Sequence, residues 1–187
     1  MALEARATKV VVPCRISYAH VWKPGVNRDG TPGKYGLSVL IPKEDKKTIS
    51  KIEKAIEAAI EVGKNKLANK QGKVVVSGLK LPLRDADDEG IDDEAYQGMK
   101  FFNASSTSKP QIVDRRMDSI DDESEVYSGC YCNVSINFYA FNRDGNKGIA
   151  AGLGNLQKVK DGERLGGGSS AAEDFEVLED EDDEIFG

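Results

Sequence analysis

Aromatic and basic side chains occur together in the strand-like segments of this chain. The stretch 129–142 alternates almost perfectly, and its polar face carries Tyr131, Tyr139 and Phe141, where a solvated face would rarely hold three rings. Exposed rings let bases stack, at about 1–3 kcal/mol per base, and nearby cations neutralise phosphates. The pattern predicts a channel for a single-stranded nucleic acid. The candidate contact residues are Arg15, Trp22, Lys23, Arg28, Lys34, Tyr35, Lys100, Phe102, Arg115, Arg116, Tyr131, Tyr139, Phe141, Arg143 and Lys147.

The same rings have a second interpretation as core residues. If a helix or the segment 72–97 covers the polar face of the 129–142 stretch, its three rings would be ordinary packing residues. The prediction of a nucleic-acid channel therefore depends on that face being open.

An acidic tail ends the chain. Residues 173–187 contain nine acidic side chains and no basic one, and a Gly/Ser-rich linker, 166–172, precedes them. The whole chain carries a formal charge of −6, and taking away the nine negative charges of the tail leaves a body of +3. Such a tail is expected to be disordered, to imitate a polyanion and to recruit partners such as a polymerase or helicase; the alternative is a purely solubilising tail. The expected partner-binding residues are Asp180, Glu181, Asp182, Asp183, Glu184, Ile185 and Phe186.

Two acidic clusters raise the question of a metal site. Asp85, Asp87 and Gly90 follow the register of a calcium loop, but Tyr96 stands where the bidentate glutamate should be. A metal-dependent nuclease would place such acids on rigid strands, whereas these lie in loop-like sequence. The second cluster, 118–125, is also loop-like. We therefore expect solvated loops and no metal.

An enzyme has little support in this sequence. His20, the single histidine, could in principle join the three cysteines around zinc, but no paired ligand spacing accompanies it. The chain has no P-loop, nucleophile elbow or dinucleotide fingerprint. We expect no catalytic residue and no cofactor.

Hydrophobic periodicity predicts a mainly β chain with one long amphipathic helix. The expected strands are 8–22 with a bend or bulge at Pro13, 35–41, 73–77, 99–105, 111–113, 129–142 and 148–155, and the expected helix is 45–68. Residues 23–34 read as a loop with three positive charges and one negative. Many strands with one helix indicate a small barrel or sandwich with a helical plug.

Length and composition indicate one domain, residues 1–165, followed by the linker and the tail. No apolar run is long enough for a membrane span, and no signal-peptide pattern opens the chain. Cys14, Cys130 and Cys132 are expected to be free, buried thiols. A homodimer is compatible with these features.

Several short motifs resemble a known family. They are LIPK at 40–43, LPLRD at 81–85, PQIVD at 110–114, YSGCY at 127–131, YAF at 139–141, GIAAGL at 148–153 and LQKVKDGE at 156–163. Their order and spacing resemble a family of bacteriophage single-stranded-DNA-binding proteins. The resemblance implies an OB-fold-like Greek-key barrel with one amphipathic helix, an extended loop insertion and a disordered, acidic, Phe-tipped tail.

The resemblance also implies a function. It is that of a non-enzymatic, sequence-nonspecific protein that coats single-stranded DNA in the cytoplasm of the infected bacterium, during replication, recombination or repair. Phage or host replication proteins would be partners of the tail. One departure is the helix, which follows the second expected strand here and the third strand in the usual OB order. Either the first strand is divided at Pro13 and supplies two strands of the barrel, or the barrel differs from the usual OB order.

The rival hypothesis is a protein-interaction module or DNA mimic, whose acidic loops and tail bind a basic partner. Its body would touch no nucleic acid. A nuclease built on the 85–94 acids is a third hypothesis.

Overall fold

The computed structural model describes residues 7–166, so the predicted linker from 167 onward and the acidic tail lie outside the described residues. In that part of the chain the strands are β1 (Lys9–His20), β2 (Tyr35–Pro42), β3 (Arg84–Asp85), β4 (Met99–Ser106), β5 (Ile112–Val113), β6 (Tyr131–Arg143) and β7 (Asn146–Lys160). The helices are α1 (Lys46–Val62) and α2 (Lys64–Leu67).

Five of these strands close into a barrel. β1 pairs antiparallel with β2 and with β6, β2 pairs with β4, and β6 pairs with β7. A parallel pairing of β4 with β7, at Ala104–Ala151 and Ser105–Gly152, closes the ring. This is the five-stranded Greek-key barrel of the OB-fold, which confirms the predicted fold class.

The barrel interior follows the alternation read from the sequence. On β6 the side chains of Cys132, Val134, Ile136 and Phe138 are buried, as predicted. The three cysteines are free and buried, and burial raises the pKa of the Cys14 thiol, which keeps that thiol protonated.

The predicted helix is present as two pieces. Asp45 caps α1 by accepting a hydrogen bond from the backbone N–H of Thr48, at 3.2 Å, and the apolar stripe of α1 packs against β1 and β6. The break at Gly63 has a steric reason, because a Cβ there would lie 2.2 Å from the Cβ of Ala140. The glycine lets the helix end approach β6 closely.

The helix position is an elaboration of the OB-fold. β1 runs through Pro13 as one strand, so the idea that the first strand counts twice is wrong. The helix follows the second barrel strand, and the connection between the third and fourth barrel strands, 107–130, is long and contains β5.

The predicted strand at 73–77 is wrong. Its valines lead into a 3₁₀ turn, Val76–Gly78, and Val75 and Val76 are exposed. The first bridge to a strand after this segment is at Lys80, opposite Gly148. β-branched residues form a strand only where a neighbouring edge accepts their hydrogen bonds.

Residues 84–98, the wall insertion, cover part of the outer barrel surface. Their Ala86, Ala95 and Tyr96 form a second small core with Leu40 and Phe101. Lys43 holds the insertion in place, because its ammonium lies 2.7 Å from Asp85 Oδ1 and 2.6 Å from Asp87 Oδ2.

The end of the described chain is anchored beside this insertion. Leu165 packs against the second core, and its backbone N–H donates to the carbonyl of Ser128 at 2.8 Å. The Ser128 hydroxyl in turn accepts from the backbone N–H of Ala19 at 2.9 Å. No helix among residues 7–166 is long and apolar enough to cross a membrane.

Candidate nucleic-acid interface

A groove of about 450 Å³ lies on the outer surface of β1, β2 and β4. We call it the barrel groove. One wall is the wall insertion, the floor is formed by the second and third barrel strands, and the connection between the first two barrel strands lies at its rim. The outer face of these strands and this connection are the surfaces with which OB-folds bind oligonucleotides. The principal side chains of the groove are Tyr18, His20, Ser38, Arg84, Tyr96, Phe101 and Asn103.

Tyr18 is the exposed ring of the groove. Its backbone has φ 46°, in the left-handed region, and the β1–β2 register shifts between Ser17 and His20. This bulge turns Tyr18 outward, so that 65% of it is exposed, although strict alternation would point it into the barrel beside Ile16. The ring is therefore available for a base to stack on.

Two buried rings support Tyr18. The ring centroid of Tyr96 lies 6.5 Å from that of Tyr18, and Tyr96 packs edge-on against Phe101 at 5.4 Å. The guanidinium of Arg84 lies over Phe101, 4.9 Å from its centroid, and forms an ion pair with Glu89 at 2.6 Å. Arg84 thus presents a planar cation at the edge of the groove.

Polar groups complete the floor. The Ser38 hydroxyl donates to the Oδ1 of Asn103, which orients the amide so that its NH₂ group can donate to a ligand. A side-chain amide beside the exposed ring of Tyr18 suits a flexible polynucleotide, because it can donate to a base edge or a phosphate.

The loop 23–34 adds positive charge at the groove rim, where Gly25 lies beside His20. Its Lys23, Arg28 and Lys34 are exposed, as the phosphate-binding prediction requires. The carboxylate of Asp29 accepts hydrogen bonds from Thr31 of the same loop. These bonds hold the pKa of the Asp29 carboxyl below the usual range.

Trp22 is an anchor of that loop. Its Nε1–H donates to the carbonyl of Val126 at 2.9 Å, and the ammonium of Lys109 lies 5.6 Å from the ring centroid. The indole is partly buried against the main core. The predicted role of Trp22 in stacking on bases stays a prediction.

The three rings of β6 do not form one row. Tyr139 is 43% exposed and Phe141 is half-buried, at the end of the strand near α2. Tyr131 lies eight residues earlier, about 27 Å along the strand. It is flanked by Arg15, whose guanidinium carbon lies 5.8 Å from the ring centroid, and by the ammonium of Lys160 at 4.7 Å.

Phe102 is in the core, and its prediction as a contact residue is wrong. It is fully buried, with its ring centroid 5.5 Å from that of Phe138. The neighbouring Phe101 lies on the outer face instead, because successive strand residues point to opposite faces. Lys100 and Tyr35 are half-buried near the ends of their strands.

Several predicted cations have other partners. Arg15 donates to the carbonyls of Gly129 and Glu163, at 3.0 and 2.6 Å, and Lys147 donates to the carbonyl of Ala68 at 2.7 Å. Arg115 and Arg116 line an acidic hollow together with Asp114, Asp121, Asp122 and Glu125. Arg143 is exposed beside Phe141.

Among residues 7–166 no group of three or more potential metal ligands comes together. The carboxylates that partly matched a calcium loop belong to the Lys43 ion pairs. Hydrogen bonds from that ammonium hold the pKa of Asp85 and of Asp87 below the usual range.

Sequence reasoning missed most of the barrel groove. Tyr18 was not predicted as a contact residue because its positive φ breaks the alternation. Phe101 was not predicted because the sequence pattern assigned the outer face to its neighbour Phe102. Tyr96 and Arg84 flank an acidic loop whose sequence pattern indicated a metal site instead of a nucleic-acid contact. The usable signal was the position of His20 and Tyr35, at the connection between the first and second barrel strands.

The barrel order and the groove on its outer face define an OB-fold protein with an oligonucleotide-type surface. The family model described as "Enterobacter phage Enc34, ssDNA-binding protein" matches residues 8–186. The chain therefore belongs to this family of phage single-stranded-DNA-binding proteins, and the family suggested by the motifs is confirmed.

Individual relatives support the same family assignment. The Enc34 single-stranded DNA-binding protein in complex with ssDNA aligns with TM-score 0.66 and 30% identity, over 84% of this chain and 88% of that one. Its C-terminal truncation aligns with TM-score 0.68 and 28% identity, over 84% and 87%. Protein p50 of Acyrthosiphon pisum secondary endosymbiont phage 1 is 29% identical over 88% of this chain and 90% of its own length. The single-stranded DNA-binding protein gp2.5 of bacteriophage T7 shares the fold, with TM-score 0.57 and 15% identity over 91% and 98%.

Proposed function

We propose that this protein coats single-stranded DNA during the replication, recombination or repair of phage DNA, with the strand bound in the barrel groove. The observation that carries the proposal is Tyr18, an exposed ring in a groove of about 450 Å³ on the outer face that OB-folds use for oligonucleotides. The Enc34 relative, 30% identical, was solved with ssDNA. The cytoplasm of the infected bacterium is where such a strand would be met.

In this mechanism the rings and the cations have separate tasks. A base stacks on Tyr18, while Arg84 and the loop cations Lys23, Arg28 and Lys34 neutralise phosphates. Neither interaction reads base edges, so sequence preference should be slight. Coating of this kind needs no catalytic group.

The acidic tail is proposed to compete with DNA and to recruit replication proteins. Its nine negative charges oppose a body of +3. From Gly166 to Phe186 there are roughly twenty residues, which as a flexible coil would span about 25 Å. Because the described chain ends at the second core, beside the groove, this reach covers the groove, at an effective concentration of about millimolar. A tail displaced by DNA would be free for a polymerase or helicase.

The test is a titration of fluorescently labelled oligo-dT and of a matched duplex, followed by anisotropy at several salt concentrations. We expect a preference for the single strand. If about four phosphates are neutralised, log K should fall with log salt at a slope near −3. Equal affinity for both DNAs would contradict the proposed single-strand binding, and no binding to either would favour the rival module whose body touches no nucleic acid.

A further inference from the structure

A line of small residues crosses the outer face of the barrel at right angles to its strands. In register, Gly36 of β2 lies opposite Ser105 of β4, and Ser105 lies opposite Gly152 of β7. Gly152 lies opposite Asn137 of β6, and Asn137 lies opposite Lys9 of β1. Gly36 lines the barrel groove, so the line begins there. It spans three strand spacings from Gly36 to Asn137, about 15 Å.

This line is a low path across the barrel surface. Gly36 and Gly152 have no side chain, and the only side chain between them is the hydroxymethyl of Ser105. At Gly152 a Cβ would lie 3.2 Å from the carbonyl oxygen of Asn137 and 3.6 Å from a ring carbon of Tyr139. The Tyr139 ring therefore leans against Gly152, at the far end of the path.

Two surface hollows meet at Tyr139. One, of about 460 Å³, lies between β6 and the end of α1, and the other, of about 580 Å³, lies between α2 and the β6–β7 hairpin. Lys66, Tyr139 and Ala140 line both hollows. With 43% of Tyr139 exposed, its ring is the accessible aromatic surface of this region.

The charged side chains that line these two hollows are all positive. Exposed Lys9, Lys66 and Arg143 line them, and no Asp or Glu is among their lining residues in the described chain. The hollow beside Arg115 and Arg116 is the opposite case, because four carboxylates line it. Cations beside an exposed ring, without acids, suit a phosphate–base repeat.

We propose that the hollows around Tyr139 form a second subsite for single-stranded DNA. A strand that leaves the barrel groove crosses β4 and β7 along the small-residue line, stacks a base on Tyr139 and places phosphates near Lys66, Lys9 and Arg143. This inference rests on the proposed function, since it extends the path of the same strand.

The test uses two oligo-dT lengths, about 4 and about 12 nucleotides, within the range that OB-folds cover. In the full-length protein, Tyr139→Ala should weaken binding of the long oligonucleotide about 5- to 150-fold and leave the short one unchanged. Tyr139→Phe keeps the ring and should bind both normally. Lys66→Gln should reduce the salt slope for the long oligonucleotide by about 0.7.

The matched control is Lys51→Gln, which removes an exposed lysine of α1 that lines neither hollow. Equal losses on both lengths, or none on either, would overturn the second subsite while leaving the barrel groove intact. If Tyr139→Ala tightens DNA binding and the effect disappears after deletion of residues 173–187, Tyr139 holds the acidic tail instead and the subsite is rejected. Failure of the unaltered protein to bind either oligonucleotide would reject the proposed function itself.

Discussion

At the scale of single residues, Tyr18 is held in a backbone conformation that its side chain disfavours. A bulky residue at φ 46° costs about 1–3 kcal/mol, and such strain persists where the surrounding structure imposes it, often at binding sites. The strain here has a result that can be named. It turns a large ring out of the barrel and into the groove.

Replacing Tyr18 by Asn separates strain from binding. Asn tolerates the left-handed region, so the melting temperature should be unchanged or higher. Loss of the stacking ring should weaken oligo-dT binding by about 1–3 kcal/mol, or about 5- to 150-fold. Melting curves and anisotropy titrations measure the two effects, with Tyr18→Phe as the control that keeps a ring. Unchanged affinity for Tyr18→Asn would remove Tyr18 from the site.

Phe102 should behave in the opposite way. Truncation to Ala removes a fully buried ring, and we expect a loss of about 3–5 kcal/mol in the free energy of unfolding. Urea denaturation measures this loss. Among molecules that stay folded, DNA affinity should be close to that of the unaltered protein, and a selective loss of binding would restore Phe102 as a contact residue.

These two residues show how far alternation predicts a site. The period of two placed the β6 core correctly, because β6 keeps one face inward from Cys132 to Ala140. It failed at Tyr18, where one positive φ reverses the faces. Alternation holds at Phe101 and Phe102, which point to opposite faces, but it does not say which of the two faces is the barrel interior.

At the scale of elements, the wall insertion depends on a charge contact. Lys43 follows β2, and its ammonium bridges Asp85 and Asp87 at the start of the insertion. The sequence pattern around these acids suggested a calcium loop. In the structure, the ammonium of Lys43 lies where the calcium-loop pattern would place the metal ion. Lys43 is distant from these acids in sequence, so residue spacing alone does not predict the contact.

The contribution of this contact should depend on pH. The depressed pKa values of Asp85 and Asp87 mean that their stabilisation is complete above the ordinary Asp range, near 4, and is lost as the pH falls through the depressed values. The pKa of Lys43 is raised above the usual 10.5. The stabilisation that Lys43 contributes is therefore complete below pH 10.5 and is lost as the pH rises through the raised pKa.

Lys43→Met tests this window. The melting temperature of the variant should lie below that of the unaltered protein at neutral pH, and the difference should shrink at about pH 3. Lys43→Arg is the control, since it keeps the charge. A difference that stays constant from neutral to acidic pH would indicate that packing of the lysine stem matters instead.

Two further elements show what the sequence could not supply. The amphipathic period located α1 and its place after the second barrel strand, but not the break at Gly63, which depends on the close approach of Ala140. The valines at 74–76 have high strand propensity and still form no strand, because sheet pairing is a long-range property.

At the scale of the whole molecule, charge is divided between body and tail. Deleting residues 173–187 removes nine negative charges, so oligo-dT binding should tighten at low salt. The gain should fade near 1 M salt, where the screening length is about 3 Å. Titrations of the truncated and full-length proteins measure this gain. A tail with its acids replaced by the corresponding amides controls for chain length, and weaker binding after truncation would contradict competition.

The contacts of Leu165 connect the start of the tail with the barrel. Leu165 donates a hydrogen bond to the carbonyl of Ser128, and the Ser128 hydroxyl accepts one from Ala19, the residue after Tyr18, so two hydrogen bonds connect the root of the tail with the Tyr18 segment. A replication enzyme that pulls on the tail would therefore also pull on the segment that holds the stacking ring. Such a pull could release the bound strand at the moment of hand-over. Faster DNA dissociation when force is applied to the tail of the full-length protein in an optical trap, but not when Leu165 is replaced by Gly, would reveal this coupling.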